Sequence, residues 1–136
     1  VGGEYCHEKK RYDHHQRGFN ESFGGKFSTK LSACGLIYKH YGREVLTALH
    51  PALAQSTDKL EWVYEKVYAD FVHALDAIDN GIEVTDGPVR WKDGTGLSAR
   101  VARLNARWNE PEGGPTEDER FERASALCGE DFTGFV

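Results

Sequence analysis

The sequence places a carboxylate and two imidazoles side by side at Asp13-His14-His15. Such side chains together suit manganese, iron, cobalt or zinc as metal ligands. After a short strand, adjacent rings point to opposite sides of the backbone, so that one can face a metal and the other can face whatever the metal binds. A solvated polar loop can also contain adjacent histidines that have no function. The tripeptide alone therefore leaves a metal site and an ordinary loop both open.

A second acidic pair, Asp76 and Asp79, stands at the end of the most regularly amphipathic segment of the chain. Side chains three residues apart share a face of a helix, and the C-terminus of a helix repels anions. No lysine or arginine stands beside the pair in the sequence. Either a cation or side-chain capping of the helix end explains two acids at this place. Capping is a reasonable explanation for Asp76 and a weaker one for Asp79.

Two basic segments offer contacts for an anionic substrate. Lys30 and Ser32 lie among lysines and hydroxyls at a predicted helix start, where phosphate binds readily. Arg100 and Arg103 share one face of another predicted helix and suit bidentate contacts to phosphate. An ordinary helix cap is the simpler explanation of the first segment. A solvated face, or pairing with acidic residues, explains the second equally well.

Helices are the main elements predicted to position these residues. Apolar residues at spacings of three and four predict a helix that follows the cap candidates Ser28 and Thr29 and ends before Pro51. The same periodicity predicts a second helix, which Thr57 caps and Asn80-Gly81 terminates.

Shorter elements and loops fill the rest of the chain. A short strand is predicted around Lys10–Asp13, a loop over residues 82–96, and a helix from Leu97 to about Asn105. Asn109–Pro115 has the composition of a linker, and a last amphipathic helix begins at the capping residue Thr116. The chain is therefore predicted to be mostly α-helical, with one or two short N-terminal strands.

Composition limits the class of function. A formal net charge of −5 over 136 residues argues against non-specific coating of nucleic acid. The charge is segregated, since residues 1–30 carry six basic and four acidic side chains and residues 108–136 carry two and eight. The basic stretches can form a local anion site or can be solvated faces. No apolar run approaches the ~20 residues of a membrane span, and three widely spaced cysteines favour a reducing, intracellular compartment.

Several motifs, in one order along residues 1–109, resemble the melanocyte-proliferating-gene protein family. This family belongs with the DHH phosphoesterases, alongside RecJ-type exonucleases and manganese-dependent pyrophosphatases. The matching segments are Val1–Tyr5 (Val-Gly-Gly-Glu-Tyr), Arg11–Phe19 around the two histidines, Thr29–Tyr38, Asp76–Gly81 and Leu97–Asn105.

The resemblance implies an α/β parent domain with a Rossmann-like parallel sheet of the DHH type. Residues 1–108 would form the C-terminal part of that domain, and residues 109–136 would be a linker and helix leading toward a second domain. It also implies a two-metal site that prefers Mn²⁺ and cleaves phosphodiester or phosphoanhydride bonds. The activity implied is 3′–5′ exonuclease action on RNA, in the nucleus and the mitochondrion.

Roles for single residues follow from their positions in the family motifs. The resemblance assigns His14 and Asp79 as metal ligands, with Asp76 as the alternative to Asp79. Asp13 would orient or support His14, and His15 would contact the scissile phosphate. The candidates for substrate binding are Lys30, Ser32, Arg100 and Arg103.

The family pattern also contains an early histidine- and aspartate-rich segment and an aspartate directly before Val-Gly-Gly, neither of which this sequence contains. The chain also has no methionine, and it opens on a turn signature, Val1-Gly2-Gly3. We therefore expect a piece of a longer protein that binds metal poorly and lacks activity by itself. A non-catalytic helical scaffold and a hydrolase of small nucleotides or pyrophosphate are the alternative functions.

Overall fold

The computed structural model describes residues 3–136 in two compact units, which divide between Asp86 and Gly87. The predicted turn at Val1-Gly2-Gly3 therefore lies mostly outside the described residues. The first unit contains strands β1 (Ser22–Gly24) and β2 (Phe27–Lys30) and helices α1 (Ala33–Leu49), α2 (Thr57–Val67) and α3 (His73–Asp79). The second unit contains helices α4 (Leu97–Ala102) and α5 (Glu117–Phe135).

Two irregular turns connect the helices of the first unit. A 3-10 turn at Pro51–Gln55 joins α1 to α2, and a π turn at Tyr68–Val72 joins α2 directly to α3. A π turn holds one more residue than a regular turn and often marks a functional site. About half of the chain is helical, where the sequence predicted a mostly helical chain, and the predicted second helix is interrupted by this turn.

The sheet is a two-stranded antiparallel hairpin. Ser22 pairs with Lys30 and Gly24 pairs with Phe27, with an irregular register between the two pairs. Gly24 and Gly25 form the turn with φ angles of +103° and +59°, which residues other than glycine rarely adopt. The Rossmann-like parallel sheet of the parent domain stays a prediction, as does its boundary after residue 108.

The first helix starts later than the sequence indicates. Ser28 and Thr29 were predicted as cap candidates, but both lie in β2. The actual cap is Ser32, whose hydroxyl accepts a hydrogen bond from the backbone N–H of Gly35. The prediction was wrong because pairing with β1 engages the backbone of the segment that contains Ser28 and Thr29. Similarly, Ser56 caps α2, and Thr57 is its first helical residue.

The predicted strand at Lys10–Asp13 is also wrong. Cys6 and Arg11 form an isolated antiparallel bridge, with backbone N···O distances of 2.9 and 3.0 Å, and the residues between them make a tight turn. Lys10 lies in that turn with a φ of +52°. The segment thus closes on itself, and Arg11 pairs within it by a single bridge that does not extend into a strand over residues 10–13.

Aromatic rings form the core between the hairpin and the helices. The ring of Phe23 stacks on that of Tyr68 with centroids 3.7 Å apart, and Tyr38 stacks on Tyr64 at 5.1 Å. Burial raises the pKa of Tyr38, so its hydroxyl stays protonated and donates to the Tyr64 carbonyl at 2.9 Å. The buried apolar residues of this unit are Leu31, Leu36, Tyr38, Leu46, Tyr64, Val67, Tyr68 and Val72.

The second unit is a pair of helices without a buried core among its described residues. As predicted, Thr116 caps α5, and it does so in a capping box with Glu119. Across residues 3–136, no helix combines the length and the apolar character that crossing a membrane requires.

Candidate metal centre

The loop that carries Asp13, His14 and His15 is attached to α1 by a cluster of rings. His7 stacks on His40 with centroids 3.7 Å apart, and the Tyr5 hydroxyl lies 2.5 Å from Nε2 of His40. Tyr12, directly before Asp13, donates its hydroxyl hydrogen to Tyr41 at 2.8 Å. We call Tyr5, His7, Tyr12, His40 and Tyr41 the ring cluster. These contacts fix the start of the Asp13–His15 segment on one side of α1.

The carboxylate of Asp13 holds the ring of His15. Oδ1 of Asp13 lies 2.8 Å from Nδ1 of His15 and accepts the backbone N–H of the same residue at 2.9 Å. Oδ2 accepts the backbone N–H of Gly3 at 3.2 Å. A carboxylate on Nδ1 fixes the tautomer and orientation of an imidazole. Asp13 was expected to support His14, and the structure shows it bonded to His15, whose side chain is 74% exposed.

His14 is buried and faces the end of α3. Its side chain is 7% exposed, and its Nε2 lies 3.1 Å from Oδ2 of Asp79. The two residues that the resemblance assigns as metal ligands thus lie in contact, and their role as ligands stays a prediction. Within the part of the chain that the structure describes, Nδ1 of His14 is buried and has no hydrogen-bond partner. A buried imidazole nitrogen left in this way costs about 1–3 kcal/mol, which structural histidines usually avoid.

Asp79 is placed by the termination of α3. Gly81 adopts a φ of +69°, and its N–H bonds to the Ile78 carbonyl at 3.1 Å, so the helix stops directly after the aspartate. Asn80 donates its side-chain amide to the Lys30 carbonyl at 2.9 Å, which ties this helix end to the end of β2. The Asp79 side chain remains 54% exposed. Its charge at a helix C-terminus is offset by no described ion pair other than His14.

Asp76 lies one turn earlier on the same helix but in a different environment. Its side chain is fully buried. Its carboxylate accepts hydrogen bonds from the N–H and hydroxyl of Ser32, the N–H of Gly35 and the hydroxyl of Tyr68. Burial, and then the charge of Asp76, raise the pKa of Tyr68, so this hydroxyl remains a donor. The alternative role of Asp76 as a metal ligand stays a prediction.

Lys30 and Ser32, two of the predicted substrate-binding residues, lie in different surroundings. The Lys30 ammonium lies over the ring of Phe19 at 5.6 Å, and that ring lies 6.4 Å from the ring of His14. Ser32 is buried, and its hydroxyl donates to Asp76 at 2.6 Å. Lys30 and His14 thus lie beside the same Phe19 ring, whereas the Ser32 hydroxyl is engaged in the interior.

Arg100 and Arg103 belong to the second unit. Arg100 pairs with Asp131, and Arg103 donates to the Gly94 carbonyl at 2.6 Å. Pairing with acidic residues was one explanation that the sequence left open for Arg100. The assignment of both arginines to substrate binding stays a prediction.

The donor set of the first unit fits a divalent cation. Asp13, His14 and His15 each offer a ligand atom, and these atoms lie within 4.8 Å of one another. Two ligands at right angles and ~2.1 Å from one cation are ~3 Å apart, which matches the 3.1 Å between His14 Nε2 and Asp79 Oδ2. Mixed imidazole and carboxylate ligands are those of manganese, iron, cobalt or zinc.

Three contributors to this geometry escaped prediction from the sequence. Phe19 supplies the aromatic face between Lys30 and His14. Tyr68 was predicted only as one of the apolar residues that repeat along the second helix, because such a repeat indicates burial and does not identify the partner of a hydroxyl. Gly35 stands inside a predicted helix, and a glycine there, which costs about 1 kcal/mol relative to alanine, is a signal of close approach.

Comparison with known proteins identifies relatives along the whole chain. The family model MYG1_exonuc, described as "Uncharacterised protein family (UPF0160)", matches residues 1–136. A MYG1 protein of Caenorhabditis elegans is 44% identical over 140 residues, covering 100% of this chain and 40% of its own length. A MYG1 protein of Dictyostelium discoideum is 42% identical over 134 residues, covering 97% and 40%. The MYG1 exonuclease of Homo sapiens is 43% identical over 138 residues, covering 97% and 36%.

The chain thus spans about two fifths of the length of these relatives. No solved structure matches it. The resemblance seen in the sequence motifs is confirmed by a match over every residue, and relatives bear the name exonuclease. The chain belongs to the MYG1 exonuclease family.

Proposed function

We propose that the protein containing this chain is a Mn²⁺-dependent phosphoesterase of the DHH type that removes nucleotides from the 3′ end of RNA. The observation that carries the proposal is the contact of buried His14 with exposed Asp79 at 3.1 Å, beside the Asp13–His15 pair. The exonuclease name of relatives supports a nucleic acid as the substrate. The nucleus and the mitochondrion are the proposed compartments, on the family resemblance alone.

His14 and Asp79 are the proposed metal ligands. His14 offers a nitrogen from a buried ring, and Asp79 offers a carboxylate oxygen whose side chain remains open to solvent. Asp79 is favoured over Asp76, because the Asp76 carboxylate already accepts four hydrogen bonds in the interior. A divalent cation held there would supply positive charge that stabilises the transition state of phosphodiester cleavage.

His15 is the proposed contact to the scissile phosphate. Asp13 engages Nδ1 of this ring at 2.8 Å, which leaves Nε2 as the atom available to a substrate. The ring is exposed, as contact with a polymer requires. Lys30 and His14 lie beside the same Phe19 ring, and the Lys30 ammonium is proposed to attract a neighbouring phosphate.

The test uses the metal-free full-length protein and single-stranded RNA labelled at its 5′ end. With Mn²⁺ restored, we expect a ladder of labelled products that shorten from the 3′ end. His14→Ala should lose both bound Mn²⁺ and cleavage. His15→Ala should keep its Mn²⁺ and cleave about 100-fold more slowly, the size of a lost acid–base or phosphate contact.

Three results would contradict the proposal. Equal loss of Mn²⁺ in both variants would show that the division of roles is wrong. Retention of activity in both would make the histidines structural. Cleavage of pyrophosphate or mononucleotides with no action on RNA would show that RNA is not the substrate, and it would not contradict the proposed metal site.

A further inference from the structure

Asp76 of α3 is hydrogen-bonded to Ser32 and Gly35 at the start of α1 and to Tyr68, and we call these four residues the clasp. Oδ1 accepts the N–H of Ser32 at 2.9 Å, the hydroxyl of Ser32 at 2.6 Å and the N–H of Gly35 at 3.1 Å. Oδ2 accepts the hydroxyl of Tyr68 at 2.9 Å. An ionised carboxylate has about four acceptor positions. Three described donors surround Oδ1 and one bonds to Oδ2. The fully buried side chain offers no open side to a cation from solvent.

The clasp joins α3 to the start of α1. Ser32 and Gly35 present the first N–H groups of α1, which have no partner within the helix and attract negative charge. Gly35 permits the close approach, because a Cβ at this position would overlap the Asp76 carboxylate. The contact is specific in position, since it requires both a glycine on one helix and an aspartate on the other.

Both halves of the candidate metal centre are attached to α1. The ring cluster holds the Asp13–His15 segment against His40 and Tyr41 of α1. The clasp holds α3, and with it Asp79 three residues further along, against the N-terminal start of the same helix. The distance between His14 and Asp79 is thus set through α1, although neither residue belongs to it.

We infer that Asp76 is a positioning residue, which acts through α1 and α3 to place the Asp79 carboxylate opposite His14. This inference rests on the proposed assignment of His14 and Asp79 as ligands. It departs from the alternative in which Asp76 itself binds the metal. A positioning residue must supply hydrogen-bond acceptors and the right shape. A metal ligand must supply a negative charge that binds the cation.

Substitution by asparagine separates these roles. Asp76→Asn keeps an oxygen that accepts from Ser32 and Gly35, and its amide can donate to the Tyr68 oxygen. In the metal-free full-length protein, Mn²⁺ affinity is measured from the electron paramagnetic resonance signal of the free ion. We expect Asp76→Asn to bind Mn²⁺ within about twofold of the unchanged protein, and Asp79→Asn to bind it at least tenfold more weakly. Asp76→Ala, which removes the acceptors, should also lose at least tenfold.

Folding is checked for each variant by circular dichroism and urea unfolding. If Asp76→Ala does not fold, Tyr68→Phe carries the test, because it keeps the ring stacked on Phe23 and removes one donor to Asp76. We expect Mn²⁺ binding to weaken about threefold in Tyr68→Phe. If Asp76→Ala folds and its Mn²⁺ affinity is unchanged, the role of Asp76 is structural only and the inference is overturned. If Asp76→Ala does not fold, an unchanged Mn²⁺ affinity of Tyr68→Phe has the same consequence.

Two further outcomes are distinct. Asp76→Asn binding as weakly as Asp79→Asn would show that the charge of Asp76 itself is needed, which also overturns the positioning role. If Asp79→Asn and His14→Ala both bind Mn²⁺ like the unchanged protein, the proposed metal centre fails, and the inference built on it fails with it.

Discussion

Two carboxylates three residues apart on α3 lie in opposite kinds of surroundings. Asp76 is fully buried and accepts four described hydrogen bonds, whereas Asp79 is 54% exposed and its described contact is one imidazole nitrogen. A buried carboxylate with four described donors joins two helices of the fold. An exposed carboxylate whose described contact is one nitrogen of a buried imidazole retains capacity to bind something else. Burial and the number of described hydrogen bonds therefore distinguish the two aspartates, whereas their spacing in the sequence does not.

The difference has an energetic basis. A buried charge is tolerated only when hydrogen bonds replace its lost hydration, and removal of one partner typically costs several kcal/mol. An exposed carboxylate carries no such requirement, and its loss costs little in stability. Perturbation at the clasp should therefore lower the free energy of unfolding, while perturbation at Asp79 should change what the protein binds and leave its stability almost unchanged.

The largest effect is expected from Gly35→Ala. The added Cβ would overlap the Asp76 carboxylate, so the buried charge must lose donors or α3 must move. We expect a loss of about 3 kcal/mol in the free energy of unfolding, measured by urea titration of circular dichroism. Gly129→Ala in α5 is the control, because an added Cβ would meet no atom within 4 Å apart from the neighbouring backbone of its own helix, and alanine favours a helix. Equal stability of both variants would contradict the clasp.

A ligand-dependent effect is expected from Asp79→Asn. In the metal-free protein, this change at an exposed position should alter the free energy of unfolding by less than about 0.5 kcal/mol. Mn²⁺ at 100 times its dissociation constant should stabilise the unchanged protein by about 2.7 kcal/mol. Most of that stabilisation should be absent from the variant in thermal unfolding with and without Mn²⁺. Full stabilisation of Asp79→Asn would remove Asp79 from the centre.

The smallest effect concerns pH and the ring cluster. Burial, then the charges of His7 and Lys39, lower the pKa of His40 below its ordinary value of 6.5. The unfolded chain therefore binds this proton more readily than the folded one, so that stability falls as pH decreases from about 6.5 toward the lower folded-state value. His40→Gln should reduce the slope of melting temperature against pH between 7 and 5. An unchanged slope would show that the ring cluster does not respond to pH.

Much of this arrangement was accessible from the sequence. Helical periodicity and the terminators Pro51 and Asn80-Gly81 located α1 to α3, because burial of one helix face and left-handed glycine ends are local requirements. The pairing of His14 with Asp79 was predicted from the family motifs, since neither spacing nor composition relates residues 65 positions apart. Partner choice over such a distance depends on tertiary packing.

The clasp shows what sequence analysis missed. Asp76 was expected to cap the end of its own helix or to serve as an alternative metal ligand, and the structure directs its carboxylate to the N-terminus of another helix. Ser32 was a candidate for phosphate binding, and an internal carboxylate occupies the place where an external anion was expected. Both predictions used the correct physical preference of a helix N-terminus for negative charge. The source of that charge could be known only from the fold.

The π turn at Tyr68–Val72 determines where the helical segment that ends in Asp76 and Asp79 tolerates a deletion. Tyr68 and Asp76 are eight residues apart and share a hydrogen bond, although residues eight apart in an unbroken α-helix differ by about 80° in phase. Deleting the exposed Asp70 should convert the π turn to a regular turn. Tyr68 and Asp76 would then be seven residues apart and differ by about 20° in phase around the helix. Deleting the exposed Ile78 should instead rotate Asp79 by about 100° away from its alignment with Asp76. The helix should therefore accept the loss of one residue in its wide turn and none between its aspartates.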